Sequence, residues 1–157
     1  MAVMVVLVVS LLAFRGLGAL GVARFASWKE ATRYALAVLF LFTAGAHFTA
    51  TRHDMVRMVP AAVPWPEAVV AFTGLCEIAG AIGLLVPRWR RAAGVALIVF
   101  LVAVFPANVR AAREGVTLAG RPATPLVWRV PMQLLLIGLV SWVTLTDGSQ
   151  TRSRPPR

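Results

Sequence analysis

The chain has 157 residues, 59% of them hydrophobic and 14% charged, with a mean hydropathy of +0.80 and a formal net charge of +10. Soluble domains carry about 25% charged residues, so too little polar surface exists here to clothe a water-facing globule. A disordered tail, a collagen-like rod and, with a single cysteine, a disulfide scaffold are excluded as well, which leaves a small integral membrane protein.

The first predicted element is an apolar helix over Ala2–Val22. It lacks the basic lead-in of a secretory signal and its positive residues follow it, so a retained reverse anchor is expected rather than a cleaved signal. Within it, Gly16–Gly21 reads GLGALG, a literal G-x-G-x-x-G. A dinucleotide fold needs that motif between a strand and a helix, with an acid about 20 residues on. Neither condition is met, and the small residues read as a close-packing surface for the helix. Arg15 lies inside the same span. It either snorkels toward the cytoplasmic face, pairs with a carboxylate in the bundle, or marks a shorter, partly inserted helix.

Four further apolar spans follow, Ala31–Ala50, Glu67–Val86, Ala92–Val109 and Leu126–Leu145. Each is near the ~20 residues that carry a helix across ~30 Å of hydrocarbon. Lipid offers backbone amides no partner, so such spans must be helical, and the alternation of a β-barrel is absent. Trp28, Trp65, Trp89, Trp128 and Trp142 all fall at span borders, where indole finds both an apolar and a polar neighbourhood. The second loop, Thr51–Pro66, carries Met55, Met58, Val59, Val63 and Trp65 and reads as an interfacial cap.

The basic residues, fifteen Arg and one Lys, form small clusters between spans rather than one stripe, which argues against nucleic acid as a partner. Counting loops alternately gives nine on the side of the first loop, third loop and tail, and five on the other. The positive-inside rule then places the N-terminus outside and the C-terminus in the cytoplasm of a bacterial inner membrane. Three segments follow: residues 1–30 as an N-terminal transmembrane helix and first loop, 31–146 as a four-helix membrane domain, and 147–157 as a basic cytoplasmic tail without fixed structure. The expected fold is all-α, a four-helix transmembrane bundle with one extra N-terminal transmembrane helix.

Glu77 is the sharpest single residue. At ~1.5 Å per residue it lies near the membrane midplane, where a carboxyl must face protein, face a wet cavity or carry its proton. Thr73, Gly74, Glu77, Gly80 and Ala81 share a small-and-polar stripe opposite Leu75, Ile78, Ile82 and Leu85. Glu77 is read as a proton-handling or substrate-binding acid, or as structural glue between helices. His47, Thr73, Asn108 and Gln133 sit near the outer ends of the other spans. With Glu77 they form a candidate outward-opening pocket, provided their faces converge. Pro106 removes one helical N–H and is expected to kink the fourth span. Arg110 and Arg129 are candidates to draw an anion to the pocket mouth, unless they snorkel. Cys76 is alone, so a dithiol relay and a thiol-based metal site are discounted, and His53 lies in a loop, which disfavours a bis-histidine haem.

Several motifs are specific when taken in order: AHF at Ala46–Phe48, MVP at Met58–Pro60, PWPE at Pro64–Glu67, TGLCE at Thr73–Glu77, GLLVPRWRR at Gly83–Arg91, VFPANV at Val104–Val109 and PMQLLLI at Pro131–Ile137. Over roughly three-quarters of its length, the chain resembles the DoxX-like family of small prokaryotic membrane proteins. The resemblance implies a four-helix membrane core, with the first helix an addition. It also implies the membrane subunit of a redox complex, with quinone as acceptor and other subunits and the lipid bilayer as partners. Two other readings stand beside it, a non-redox binder or carrier of a small molecule with Glu77 as the proton-coupled group, and a structural or assembly subunit.

Overall fold

Apolar stretches of the right length become helices, and Gly, Pro and Ser punctuate them. A computed structural model describes residues 2–118, 120–122 and 124–146. Among the described residues, six α-helices are formed: α1 (Ala2–Ala19), α2 (Trp28–Ala46), α3 (Arg52–Met58), α4 (Pro66–Leu85), α5 (Arg90–Arg113) and α6 (Leu126–Leu145). A short 3-10 turn spans Ala23–Phe25, and the strands β1 (Thr117–Leu118) and β2 (Arg121–Pro122) pair antiparallel around Gly120. The expected tail, 147–157, lies outside the described residues.

Four helices, α1, α4, α5 and α6, are long and apolar enough to cross a membrane. The expected span 31–50 corresponds to α2, which differs from these four because its first two turns carry Lys29, Glu30 and Arg33. It also ends four residues earlier than expected, leaving His47 as its C-terminal cap. The interfacial loop contains a helix that hydropathy did not reveal, α3, because seven residues with three charges give no apolar signal. Pro106 does not interrupt α5, which runs on to Arg113.

α2 is the centre of the packing. It lies against α1, α4 and α6, while α5 packs on both α4 and α6. Ala31, Ala35, Leu36, Leu39 and Phe40 of α2 are buried with Leu84, Leu97, Val140 and Val143 of the neighbouring helices. Small residues set the spacing: Gly80 receives the Leu97 side chain, and Gly94 receives Thr144. The outward faces remain apolar, with Phe72, Leu75, Val99, Val102 and Leu134 all exposed.

In α1, Leu7 is the one buried residue, and the rest of its inner face leans on α2. GLGALG closes this helix and turns the chain. Gly18 lies against the Phe25 carbonyl, where a Cβ has no room, and Gly21 takes a φ of +99°, which suits glycine. Arg15 donates to the carbonyls of Phe25 (2.8 Å) and Ala26 (2.6 Å) and stacks 4.7 Å above the Trp28 ring. Its charge is thus carried to the end of the helix, where carbonyls rather than a carboxylate receive it. Phe14, Phe25 and Tyr34 stack around the same turn, with centroids 4.8–5.6 Å apart.

Ser27 starts α2 by accepting the Glu30 N–H at 3.2 Å. Ser27→Ala removes that cap and should lower stability by about 1 kcal/mol, read from thermal unfolding in detergent.

Below that cap lies a charged layer that sequence reading assigned to topology alone. Arg33 is 1% exposed, ion-paired with Glu30, and donates to the Val143 carbonyl at 2.8 Å. Val143 is in the last turn of α6, whose final carbonyls lack intrahelical donors, so a buried guanidinium caps that helix. Lys29 reaches Thr146 at 2.7 Å, and Arg90 sits 3.8 Å from Glu30. The Glu30–Arg33 spacing, three residues apart on one helical face, was the available signal.

Candidate functional site

The site is built where α2 ends against α4. As the C-cap of α2, His47 is 6% exposed and turns its ring toward α4. It can do so because residue 74 is glycine: a Cβ there would lie 2.7 Å from His47 Cβ and 3.0 Å from the Phe48 ring. Gly74→Ala should therefore push the imidazole out of place and cost ~1–3 kcal/mol, the usual range for overpacking. Thermal unfolding reads the cost, and the histidine ring resonances of His47 read the displacement.

Three groups on α4 meet the imidazole. Nδ1 lies 2.7 Å from the Val70 carbonyl oxygen and 3.3 Å from Thr73 Oγ1, while the Thr73 hydroxyl donates to the same carbonyl at 2.9 Å. Nε2 faces Glu77 Oε2 at 3.6 Å. Glu77 is 8% exposed and turned toward α2, with Thr43 of α2 beside its carboxyl. Its Oε2 has no hydrogen-bond partner among the described residues.

The proton count follows from donor and acceptor types. A carbonyl oxygen only accepts, so Nδ1 carries a hydrogen. In neutral imidazole Nε2 is then a bare acceptor, and it faces a carboxyl group. Two bare acceptors side by side would leave an uncompensated negative charge in an apolar setting, which costs several kcal/mol. One proton between them leaves the pair neutral, either as imidazole with carboxylic acid or as imidazolium with carboxylate. The arrangement can thus hold one proton between two helices.

The other candidates form a second group, between α5 and α6. Asn108 Oδ1 accepts from Arg129 at 2.7 Å, and Arg129 Nε donates to the Thr124 carbonyl at 2.8 Å. Gln133 donates to the Leu101 carbonyl of α5. Arg110 is occupied too: its Nε reaches both Glu114 oxygens at 2.9 Å, and the guanidinium also donates to the Val59 carbonyl. Both arginines therefore tie helices and loops together. Of the five pocket candidates, His47, Thr73 and Glu77 meet in one place, while Asn108 and Gln133 belong to the α5–α6 contact.

Surface cavities among the described residues include these two. One of about 280 Å3 lies beside α1 and α6 around Met4, Trp128 and Met132. The other, of about 460 Å3, lies at the opposite end near Arg24, Tyr34 and Arg90. The pocket candidates line neither of them.

No curated protein matches the chain, and no solved structure does. The model of one family, described as Domain of unknown function (DUF8561), matches residues 36–144. That stretch runs from α2 to the last turn of α6 and includes every candidate residue. Because it covers more than half of the sequence, the chain belongs to the DUF8561 family.

Proposed function

We propose that the chain is a DoxX-like multi-pass protein of the bacterial inner membrane, serving as the membrane subunit of a quinone-linked redox complex. The His47–Glu77 pair is its proton-exchanging site. The observation that carries this reading is the inward-turned Glu77, 3.6 Å from an imidazole whose other nitrogen is already committed to a carbonyl. A quinone, when bound, takes up or releases protons with electrons at its ring oxygens. A neutral pair holding one proton can supply or accept it, and Phe48, exposed beside Gly74, offers an aromatic flank to a ring arriving from lipid.

The membrane arrangement in this reading is a four-helix bundle of α2, α4, α5 and α6 with α1 added. Support comes from α2, whose charges all gather in its first two turns and leave the remainder apolar. The family match also starts inside α2 and leaves α1 outside it. The five tryptophans add a second line of support. Each is at least 40% exposed and lies within a turn of a helix end, as residues at headgroup level do. With the larger basic count inside, His47 lies toward the outer face and the C-terminus is cytoplasmic.

A structural or assembly role has its own observation, the Asn108–Arg129 and Gln133–Leu101 bonds that join α5 to α6. A proton-coupled carrier would draw on the same neutral pair as the redox reading. Titration of the purified protein with decylubiquinone, alongside respiratory electron transfer in a deletion strain, separates the three. Quinone binding that weakens in Glu77→Gln, together with lost electron transfer, supports the redox reading. Absence of binding with unchanged electron transfer rejects it. Proton-dependent uptake lost in Glu77→Gln would then favour the carrier, and normal assembly and function of Glu77→Leu the structural role.

A further inference from the structure

The end of the molecule remote from His47 holds a polar cavity that the proton site does not use. Its walls include Arg24, Glu30, Tyr34, Leu85, Pro87 and Arg90, and its volume, about 460 Å3, is in the range of small-ligand sites. Arg24 donates to the Tyr34 hydroxyl at 3.1 Å, which fixes the phenolic oxygen as acceptor and leaves its own hydrogen to point elsewhere. Glu30 is the one acid in this wall, and Arg33 is already paired with it. Arg90 stands 3.8 Å from the same carboxylate, too far for a hydrogen bond, and its Nε is buried without a partner among the described residues.

A second, independent feature lies at the same wall. α5 begins at Arg90, and Trp89 in the cap position gives no side-chain hydrogen bond. The first N–H groups of a 24-residue helix are thus left without a side-chain cap beside Arg90, at the positive end of the helix dipole. Arg88 and Arg91, both exposed, add charge around it. Two guanidiniums, a phenolic donor and an uncapped helix start at one cavity match a tetrahedral oxyanion, which accepts several charge-assisted hydrogen bonds at once.

We propose that this cavity is a phosphate site, held by Arg24, Tyr34 and Arg90, for the phosphodiester of an anionic lipid headgroup or for free phosphate. It is independent of the quinone reading, since none of its residues touches His47 or Glu77. The test uses the purified full chain in detergent. Native mass spectrometry compares retention of phosphatidylglycerol with phosphatidylcholine, and calorimetry titrates inorganic phosphate. Arg90→Gln should weaken binding roughly tenfold or more, the loss of one charge-assisted contact, while Arg57→Gln at the opposite end should leave it unchanged. Should Arg90→Gln fail to fold, the exposed Arg24→Gln and the conservative Tyr34→Phe provide the same comparison. Preferential retention of phosphatidylglycerol without phosphate binding identifies a lipid site, and phosphate binding without lipid preference identifies a soluble anion. Equal retention of both lipids with no phosphate heat, or binding that survives all three substitutions, overturns the proposal.

Discussion

Glu77→Gln is expected to leave the fold within about 1 kcal/mol of the native protein, while the proton-coupled activity of the proposed function falls on the order of 10²–10⁴-fold. Glutamine keeps the volume, and its amide can donate to His47 Nε2, so the imidazole stays in place with Nδ1 on the Val70 carbonyl. What glutamine lacks is an ionisable group that can give up a proton and take it back. Stability and activity therefore separate in this variant. Glu77→Leu behaves differently, since it removes the polar group that Nε2 faces and should cost ~1–3 kcal/mol. Thermal unfolding in detergent gives the first quantity, and proton-dependent turnover or uptake in vesicles gives the second. Equal loss of stability in both variants, with activity tracking it, would make the pair structural glue.

Arg33→Met should give a large stability loss, about 3–5 kcal/mol. The guanidinium is 1% exposed, with Glu30 on one side and the Val143 carbonyl on the other. Methionine fills much of the space but strands a carbonyl in the last turn of α6 and leaves Glu30 with Arg90 as its other cation. Arg33→Lys keeps the charge and loses the fork that serves both partners, so an intermediate loss is expected. Thermal midpoints of the three proteins check the order. A loss below about 1 kcal/mol in Arg33→Met would mean that the pair behaves like a surface ion pair.

Much of this arrangement was legible in the sequence, and the gaps have physical reasons. The long helices follow from hydropathy because a single variable, transfer from water to hydrocarbon, decides them. The last span, Leu126–Leu145, coincides with α6 residue for residue. Glu77 was conspicuous for the opposite reason, being a carboxyl in an apolar run, and its small-and-polar stripe gave the direction in which it turns. Gly74 lay in that stripe, yet its purpose, making room for His47, depends on a residue 27 positions earlier in the chain and has no local signature. Asn108 and Gln133 were chosen by level along their helices, and level along a helix says nothing about rotation around it. They turned to satisfy Arg129 and the Leu101 carbonyl instead. Arg33 was obscured by its company, because a basic residue near a span border is ordinarily a topology signal. Burial of its charge appears only when the end of α6 is brought against it.

The most direct test of the shared proton is nitrogen NMR of histidine-labelled protein in bilayers, followed from acid to alkaline conditions in the native chain and in Glu77→Gln. His47 Nδ1 should keep its hydrogen throughout. Nε2 should gain and lose one in the native chain, and this exchange should disappear when the carboxyl becomes an amide. A bare Nδ1, or an Nε2 titration identical in the two proteins, would contradict a shared proton.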